Sequence, residues 1–222
     1  MKAIQQRDVI ENIYNIYVSD KSIRHKKEEY DGWFSASSAG KCYREQWYIR
    51  NGYEPSEMDE RVKRLLRLGT LVHKDLEEAI KYAQLNLPIY PKEKILTEYE
   101  VEIPELKVLG HLDVAVIYEK EKRIDIYDLK TTGAYKWRIL FGRKPDPNPS
   151  FMYELQIGTY AFGLMSMGYD NYDYTLSLIY YNKDTSAMKV VKKDSDHWID
   201  KAIEYWTDLA ETLNDIKKDT DL

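Results

Sequence analysis

Two aspartates and one lysine are spaced so that two neighbouring strands would bring them together around a divalent cation. Asp113 lies in the run GHLDVAVIY, and Asp128 and Lys130 lie in the run RIDIYDLK. Side chains alternate between the two faces of a strand, so Asp128 and Lys130 share one face. Burying two carboxylates is costly unless they are paired or bind a metal. A divalent cation would remove their repulsion, and the lysine could hold or polarise an attacking water.

The same alternation places four residues of the first strand on one face, namely His111, Asp113, Ala115 and Ile117. If the two strands pair as a hairpin, both carboxylates and the ammonium converge at one end of an apolar face. The pattern is short, so a surface hairpin with ordinary ion pairs is the alternative that it leaves open.

The sequence around these residues resembles the successive motifs of RecB-family nuclease domains, which belong to the PD-(D/E)xK superfamily. The matching blocks are Gly69-x-x-x-His73, GHLD at 110–113, DLKTT at 128–132 and QIGTY at 156–160. They occur in the order in which the family has them, which makes the combined pattern specific. This chain departs from many relatives in carrying Asp128 where they carry glutamate, which shortens the ligand but keeps its charge.

The resemblance implies a role for each matching residue. His73, Asp113, Asp128 and the backbone carbonyl of Leu129 would hold Mg²⁺ or Mn²⁺. Oxygen ligands suit both ions, and an imidazole ligand favours Mn²⁺. Lys130 would orient or activate the attacking water.

Two helical residues complete the site that the resemblance implies. Gln156 and Tyr160 are spaced to share one helix face. In the family these residues support the lysine and contact the substrate strand. Glu77 follows His73 by one helical turn and either orients its imidazole or is simply solvated.

The segment from Ser35 to Tyr48 also resembles the N-terminal segment of CRISPR-associated RecB-like nucleases that carry an iron–sulfur cluster. In those relatives the cysteine at the position of Cys42 is a cluster ligand. This chain has a single cysteine, so we expect no cluster, with Cys42 as a vestigial or packing residue. Ser37 and Arg44 either bind a phosphate, or cap a helix and pair with a carboxylate.

Basic residues lie ahead of the first motif block and between the last two blocks. The run Arg61, Lys63, Arg64 and Arg67 forms either one wall of a DNA groove or a solvated helix face. The segment from Lys136-Trp137-Arg138 to Arg143-Lys144 mixes aromatic and basic residues, as single-strand sites do. The residues that we expect to contact nucleic acid are Ser37, Arg44, Arg64, Arg67, Thr131, Trp137 and Arg138.

The overall composition limits these interpretations. The 222 residues are 43% hydrophobic and 32% charged, which is ordinary for a soluble globular protein. The net charge of −5 argues against a protein that coats nucleic acid with its whole surface, so any DNA site is a local groove. We expect no secretory signal, no membrane partner and a cytoplasmic location, the host cytoplasm if the protein is viral.

The hydrophobic patterning predicts an α/β fold with a mixed central sheet flanked by helices. The resemblance specifies this as a restriction-endonuclease-like core. We predict an N-terminal helical segment over 1–58, packed on a nuclease core over 59–222, and a largely irregular segment over 133–149. The predicted helices are 5–19, 59–85, 150–168 and one from Ser195, and the predicted strands are 94–103, 107–118, 123–131, 172–181 and 187–193.

The expected function is metal-dependent hydrolysis of DNA phosphodiester bonds, with relatives in repair and recombination. An exonuclease acting on single-stranded DNA or DNA ends is the first expectation. A structure-specific endonuclease would share every motif. A non-catalytic DNA-binding or assembly subunit is the third possibility, although such proteins commonly lose the lysine or an aspartate. The sequence does not predict the oligomeric state or the polarity of cleavage.

Overall fold

A computed structural model describes residues 13–19, 32–53, 56–87, 93–143 and 150–220. The start of the first predicted helix, residues 5–12, and Lys144 lie outside these ranges. The helices are α1 (13–19), α2 (Tyr43–Arg50), α3 (Glu60–Asn86), α4 (Ala134–Phe141), α5 (Phe151–Leu164) and α6 (Ser195–Thr220). The strands are β1 (Phe34–Ser35), β2 (Lys94–Ile103), β3 (Val108–Tyr118), β4 (Arg123–Thr132), β5 (Asp173–Asn182) and β6 (Met188–Lys193).

The strands form one mixed six-stranded sheet. On one side of β3 lies β2, antiparallel along its whole length. On the other side lie β1, beside residues 108–109, and β4, beside residues 114–118. The sheet continues with β5 parallel to β4 and β6 antiparallel to β5. The predicted hairpin and the predicted α/β class with a mixed central sheet are both confirmed.

Helices α5 and α6 cover one face of the sheet. The sequence of α5 is apolar nearly all round, and the helix is accordingly buried between the sheet and α6. A close approach of the two helices depends on Gly158, because a Cβ atom there would lie 2.1 Å from the carbonyl oxygen of Trp198. The stripe of α6 that faces the core consists of Ile199, Ala202, Trp206, Leu209 and Leu213.

Helix α3 is amphipathic and lies over the other face of the sheet. It begins where Asp59 caps it by accepting a 2.7 Å hydrogen bond from the N–H of Arg61. Leu76 and Ile80 of α3 and Val114 and Val116 of β3 line an apolar cavity of about 430 Å³. The predicted range 59–85 agrees with the observed helix.

The prediction of a largely irregular segment over 133–149 was wrong for its first half, which forms α4. Trp137 and Phe141, one turn apart, stack edge to face with ring centroids separated by 4.8 Å, and Phe141 in turn contacts Tyr180 of β5. Asp184 caps the helix, since its carboxylate accepts a 2.6 Å hydrogen bond from the N–H of Ala134. Packing of this aromatic face therefore stabilises the helix despite the prolines that follow it.

The described N-terminal elements pack on the rest of the chain. Phe34 of β1 contacts the ring of Trp206 at 5.8 Å between centroids. The amide of Gln46 in α2 donates a 2.8 Å hydrogen bond to the hydroxyl of Tyr205. The boundary between 58 and 59 stays a prediction. Within the described ranges, every helix is too short or too polar to cross a lipid bilayer.

Candidate active site

The site lies where β3 and β4 separate. Their pairing runs from Tyr118 opposite Arg123 to Val114 opposite Tyr127 and then stops. Beyond this point the end of β4 pairs with β5. We call this opening between the two strands the fork. The carboxylate of Asp113 bridges it by accepting a 2.6 Å hydrogen bond from the N–H of Leu129.

The alternation of side chains along β3 is interrupted at Asp113. Leu112 and Ala115 are both fully buried in the same core cluster, although an uninterrupted strand would place them on opposite faces. Val114 faces the cavity beneath α3. The prediction that His111, Asp113 and Ala115 share one face was therefore wrong, because Asp113 turns towards α3.

Glu98 on the neighbouring strand lies opposite Asp113. The register pairs Thr97 with Val114 and Tyr99 with Leu112, which leaves Glu98 facing Asp113. The backbone of Glu98 has φ 46°, in the left-handed region that non-glycine residues seldom adopt. Such strained residues tend to persist where a functional site holds them.

His73 reaches the fork from α3. Its Nδ1 atom lies 3.3 Å from Oδ1 of Asp113. Burial by itself lowers the pKa of the imidazole, but the hydrogen bond to Asp113 and the negative charges of Asp113 and Asp128 outweigh it, so the pKa is raised. One turn earlier, a Cβ atom at Gly69 would lie 3.2 Å from the hydroxyl of Thr131. The glycine therefore lets α3 come close to the end of β4.

His73, Glu98 and Asp113 together form a candidate metal site. Each offers one ligand atom, and these atoms lie within 4.8 Å of one another. Burial and the charge of Asp113 raise the pKa of the Glu98 carboxyl. Glu98 lies in none of the sequence motifs, and only the pairing of β2 with β3 brings it to the site.

Asp128 is the buried acid of the site, with 1% of its surface exposed. The ammonium of Lys130 lies 2.7 Å from its Oδ2 atom. This is an ion pair without regular hydrogen-bond geometry, and neither carboxylate oxygen accepts a hydrogen bond from the described part of the chain. Burial raises the pKa of Asp128 to about 6, against the opposing charge of Lys130 and with a further rise from Asp113. Buried acceptors without donors are what a cation would satisfy.

Lys130 is held from α5 by a chain of side chains. Its ammonium donates a 2.8 Å hydrogen bond to Oε1 of Gln156, whose amide nitrogen donates a 2.5 Å hydrogen bond to the hydroxyl of Tyr160. Tyr160 is only 3% exposed, and its hydroxyl is connected to Lys130 through Gln156. Its ring packs on Gly110, where a Cβ atom would lie 3.1 Å from it.

The carbonyl of Leu129 also points into the fork. In a strand the N–H and C=O of one residue project towards the same side. The N–H of Leu129 points to Asp113, so its carbonyl oxygen faces the same opening. This orientation fits the ligand role that the resemblance implies.

An open cavity of about 540 Å³ lies in front of these groups. It combines an apolar wall from α3 with polar groups from the ends of β4 and β5. Its lining consists of Leu65, Leu66, Gly69, Thr70, His73, Glu98, Asp113, Leu129, Lys130, Thr131, Tyr153 and Lys183.

The residues expected to contact nucleic acid do not form one group. Thr131 lines the cavity. Arg64 donates a 2.6 Å hydrogen bond to Asn15 of α1, and the guanidinium of Arg67 lies over the ring of Tyr17 at 5.8 Å. These two arginines therefore contact α1, which neither alternative for the basic run had predicted.

The other expected contacts lie on α2, α4 and the turn before α2. The hydroxyl of Ser37 is 2.8 Å from that of Ser35, and Arg44 donates a 3.3 Å hydrogen bond to Tyr48. Trp137 packs inward, whereas Arg138 is exposed. Among the described residues, Ser37 therefore contacts a neighbouring serine and Arg44 a tyrosine, which differs from the helix cap and carboxylate partner considered as the alternative to phosphate binding.

Two further residues near the motifs have ordinary structural contacts. Cys42 is exposed and caps α2, its sulfur accepting a hydrogen bond from the N–H of Glu45, so a packing role for it was wrong. Glu77 forms an ion pair with Lys81, one turn further along α3.

Comparison with solved structures supports the fold. The chain is similar to the protein SSO0001 (TM-score 0.50, 17% identity, 91% of this chain and 87% of that one). It is also similar to a protein from Eubacterium rectale named "Putative exonuclease" (TM-score 0.53, 12% identity, covering 89% of this chain and 84% of that one). LHK-Exo, solved in complex with dAMP, aligns with a TM-score of 0.46 and 14% identity, and the alignment covers 87% of this chain and 98% of that one. No protein-family model and no curated protein matches the sequence. The first two similarities establish a shared fold.

Proposed function

We propose that this chain is a metal-dependent deoxyribonuclease of the RecB-like PD-(D/E)xK type, and an exonuclease on single-stranded DNA or DNA ends. One observation carries the proposal. The fork brings Asp113 and Lys130 together with Asp128, whose two buried oxygens accept no hydrogen bond from any described residue. Two acids and one ammonium in this arrangement suit the cleavage of a phosphodiester by an activated water.

The donor set fits a hard divalent cation. His73, Asp113, Asp128 and the carbonyl of Leu129 would hold Mg²⁺ or Mn²⁺, and Glu98 would add one more oxygen ligand. When bound, the ion supplies Lewis-acid polarisation of the phosphoryl group and lowers the pKa of a bound water. The imidazole of His73 favours Mn²⁺ over Mg²⁺.

Lys130 positions the attacking water. An ammonium has three N–H donors, of which Gln156 accepts one, while the Asp128 carboxylate holds the charge in an ion pair. A remaining donor can point to the water or to a non-bridging phosphoryl oxygen in the cavity. Gln156 and Tyr160 fix the direction of that donor, so they act as positioning residues.

The preference for DNA ends rests on analogy with two groups of proteins. The motif order resembles that of compact RecB-like domains, which often degrade DNA from ends. The Eubacterium rectale protein, which shares the fold, is named as an exonuclease. Because the substrate depends on the site and not on the fold, cleavage of linear and circular DNA distinguishes an exonuclease from an endonuclease.

Incubation with end-labelled linear DNA and with closed circular single-stranded DNA tests this function. With Mn²⁺ or Mg²⁺ we expect the linear strand to be degraded to nucleotides or short products, and the circle to survive. EDTA should abolish cleavage. Cleavage of the circle would show that the enzyme is an endonuclease and not an exonuclease. The absence of metal-dependent cleavage on every substrate would overturn the proposal.

A further inference from the structure

Lys183 brings a second ammonium group to the cavity in front of the fork. It follows β5, whose last residue pairs with Thr132 at the end of β4. Its N–H donates a 2.8 Å hydrogen bond to the carbonyl of Thr132. The side chain is half-buried and lines the cavity together with Thr131 and Lys130. The sheet therefore fixes the backbone of this lysine beside the proposed reaction centre.

The charge of Lys183 is not neutralised by any residue of the described ranges. Lys130, by contrast, is engaged by Asp128 and Gln156. Throughout the described ranges, no carboxylate lies within ion-pair distance of the Lys183 ammonium. The adjacent acid, Asp184, instead accepts the first N–H of α4. A half-buried cation without a counterion is a group that an anionic ligand would stabilise.

Part of the wall of this cavity is apolar. Leu65 and Leu66 of α3 line it while remaining 42% and 57% exposed. A cavity lined by both an uncompensated cation and exposed leucines fits a nucleotide, because the phosphate is charged and the sugar and base offer apolar surfaces for packing.

We propose that Lys183 binds a phosphate of the DNA strand next to the phosphate that is cleaved, with the intervening sugar and base against Leu65 and Leu66. This inference rests on the proposed function, because it takes the fork as the place of cleavage. Lys183 then anchors the substrate strand and takes no part in the chemical step. The competing explanation is a lysine that is merely solvated at the rim of the cavity.

Binding of a fluorescent single-stranded oligonucleotide in EDTA tests the role of Lys183 without cleavage. We expect Lys183→Met to bind roughly 3- to 10-fold more weakly, and its slope of log affinity against log salt to fall by about 0.7, the value for one phosphate contact on a single strand. Lys183→Arg should retain most of the affinity. Lys192→Met is the matched control, since Lys192 is an exposed lysine on the neighbouring strand β6 and should bind as the wild type does.

Oligonucleotides with one neutral methylphosphonate linkage locate the contact. Wild-type protein should lose affinity when the linkage at one position next to the cleaved bond is neutralised, and Lys183→Met should lose nothing further at that position. In cleavage assays Lys183→Met should raise KM and leave kcat within about 2-fold, as expected for a contact made equally in the ground and transition states.

The outcomes separate this inference from the function on which it rests. If wild-type protein cleaves DNA but Lys183→Met binds, responds to salt and responds to methylphosphonates as the wild type does, the role of Lys183 is overturned and the nuclease assignment stands. If Lys183→Met lowers kcat with KM unchanged, the anchoring role is likewise overturned. If wild-type protein neither binds nor cleaves DNA, both fall together.

Discussion

The N–H of Leu129 donates a 2.6 Å hydrogen bond to the Asp113 carboxylate across the fork between β3 and β4. This bond orients one carboxylate oxygen towards β4, while the other faces His73 on α3. One aspartate thus connects the sheet to the helix that covers it. The proposed metal ligands are positioned by this connection, and changes at the fork should separate metal binding from folding.

Asp113→Asn should abolish metal binding while the protein still folds. The asparagine oxygen can accept the Leu129 N–H, but the charge that attracts a cation is lost. We expect the Mn²⁺-induced rise in melting temperature to disappear and cleavage to fall by more than about 100-fold. Thermal melts with and without Mn²⁺ measure the first effect. Asp125→Asn, which removes only an ion pair with Arg123 on the same hairpin, should behave as the wild type, and a full Mn²⁺ response in Asp113→Asn would contradict the assignment.

Glu98→Gln should weaken metal binding, because it removes a charged oxygen from the cluster with His73 and Asp113. We expect Mn²⁺ affinity, measured by calorimetric titration, to fall roughly 10- to 100-fold. The control is Glu100→Gln, two residues along the same strand, where the glutamate lies beside His111 at 3.5 Å. Equal Mn²⁺ affinity in the wild type and in Glu98→Gln would remove Glu98 from the ligand set.

Asp128→Asn should stabilise the metal-free protein, and more so at higher pH. Burial raises the folded-state pKa of Asp128 to about 6, above an unfolded value of about 3.9. The folded protein therefore binds this proton more tightly, and stability is lost as the pH rises through that interval. Asparagine carries no charge at any of these pH values, so the variant does not lose this stability. At pH 8 its free energy of unfolding should exceed that of the wild type by about 1–3 kcal/mol.

Chemical denaturation in EDTA at pH 5 and pH 8 measures the effect of Asp128→Asn. The difference in the free energy of unfolding between the variant and the wild type should be larger at pH 8 than at pH 5. It should raise the melting temperature by several degrees, roughly 2–4 °C per kcal/mol. Excess Mn²⁺ should stabilise only the wild type. A gain that shrinks as the pH rises would show that the Asp128 charge is favoured in the folded state.

Changes at Gln156 and Tyr160 should lower kcat in a graded way. Gln156→Met removes the oxygen that holds the Lys130 ammonium, and we expect kcat to fall roughly 10- to 100-fold, in the range typical of positioning and proton-transfer groups. Tyr160→Phe keeps the ring against Gly110 and removes only the hydroxyl, so its loss should be smaller. Mn²⁺ affinity should be unchanged in both. Loss of Mn²⁺ affinity in either variant would place these residues in the metal site instead.

The sequence predicts the hairpin and α3 from local periodicity, and it predicts the Gln156–Tyr160 pair from the resemblance to the family's motif. The contribution of Glu98 depends on which strand pairs with β3 and on a left-handed backbone at one position. Neither feature has a local signal. The turn of Asp113 towards α3 also has no local signal, because strict alternation along β3 would place Asp113 on the same face as Ala115.

Contacts between distant segments explain the remaining differences between the predicted and the observed structure. Prolines after residue 144 suggested an irregular segment, yet α4 forms because half-buried Trp137 packs on Phe141, which in turn packs on Tyr180 of β5. Arg64 and Arg67 suggested a DNA groove, but α1 engages both. Lys183 lies on a turn outside every motif, and only the parallel pairing of β4 with β5 brings it to the cavity.

The most direct test of the proposed function is cleavage of end-labelled linear DNA by Lys130→Met in the presence of Mn²⁺. Methionine keeps the length of the side chain and removes the ammonium that Asp128 and Gln156 hold. We predict that this variant folds, retains Mn²⁺ binding in calorimetric titration and loses cleavage by more than about 100-fold. Cleavage at the wild-type rate by the folded, Mn²⁺-bound variant would contradict the account.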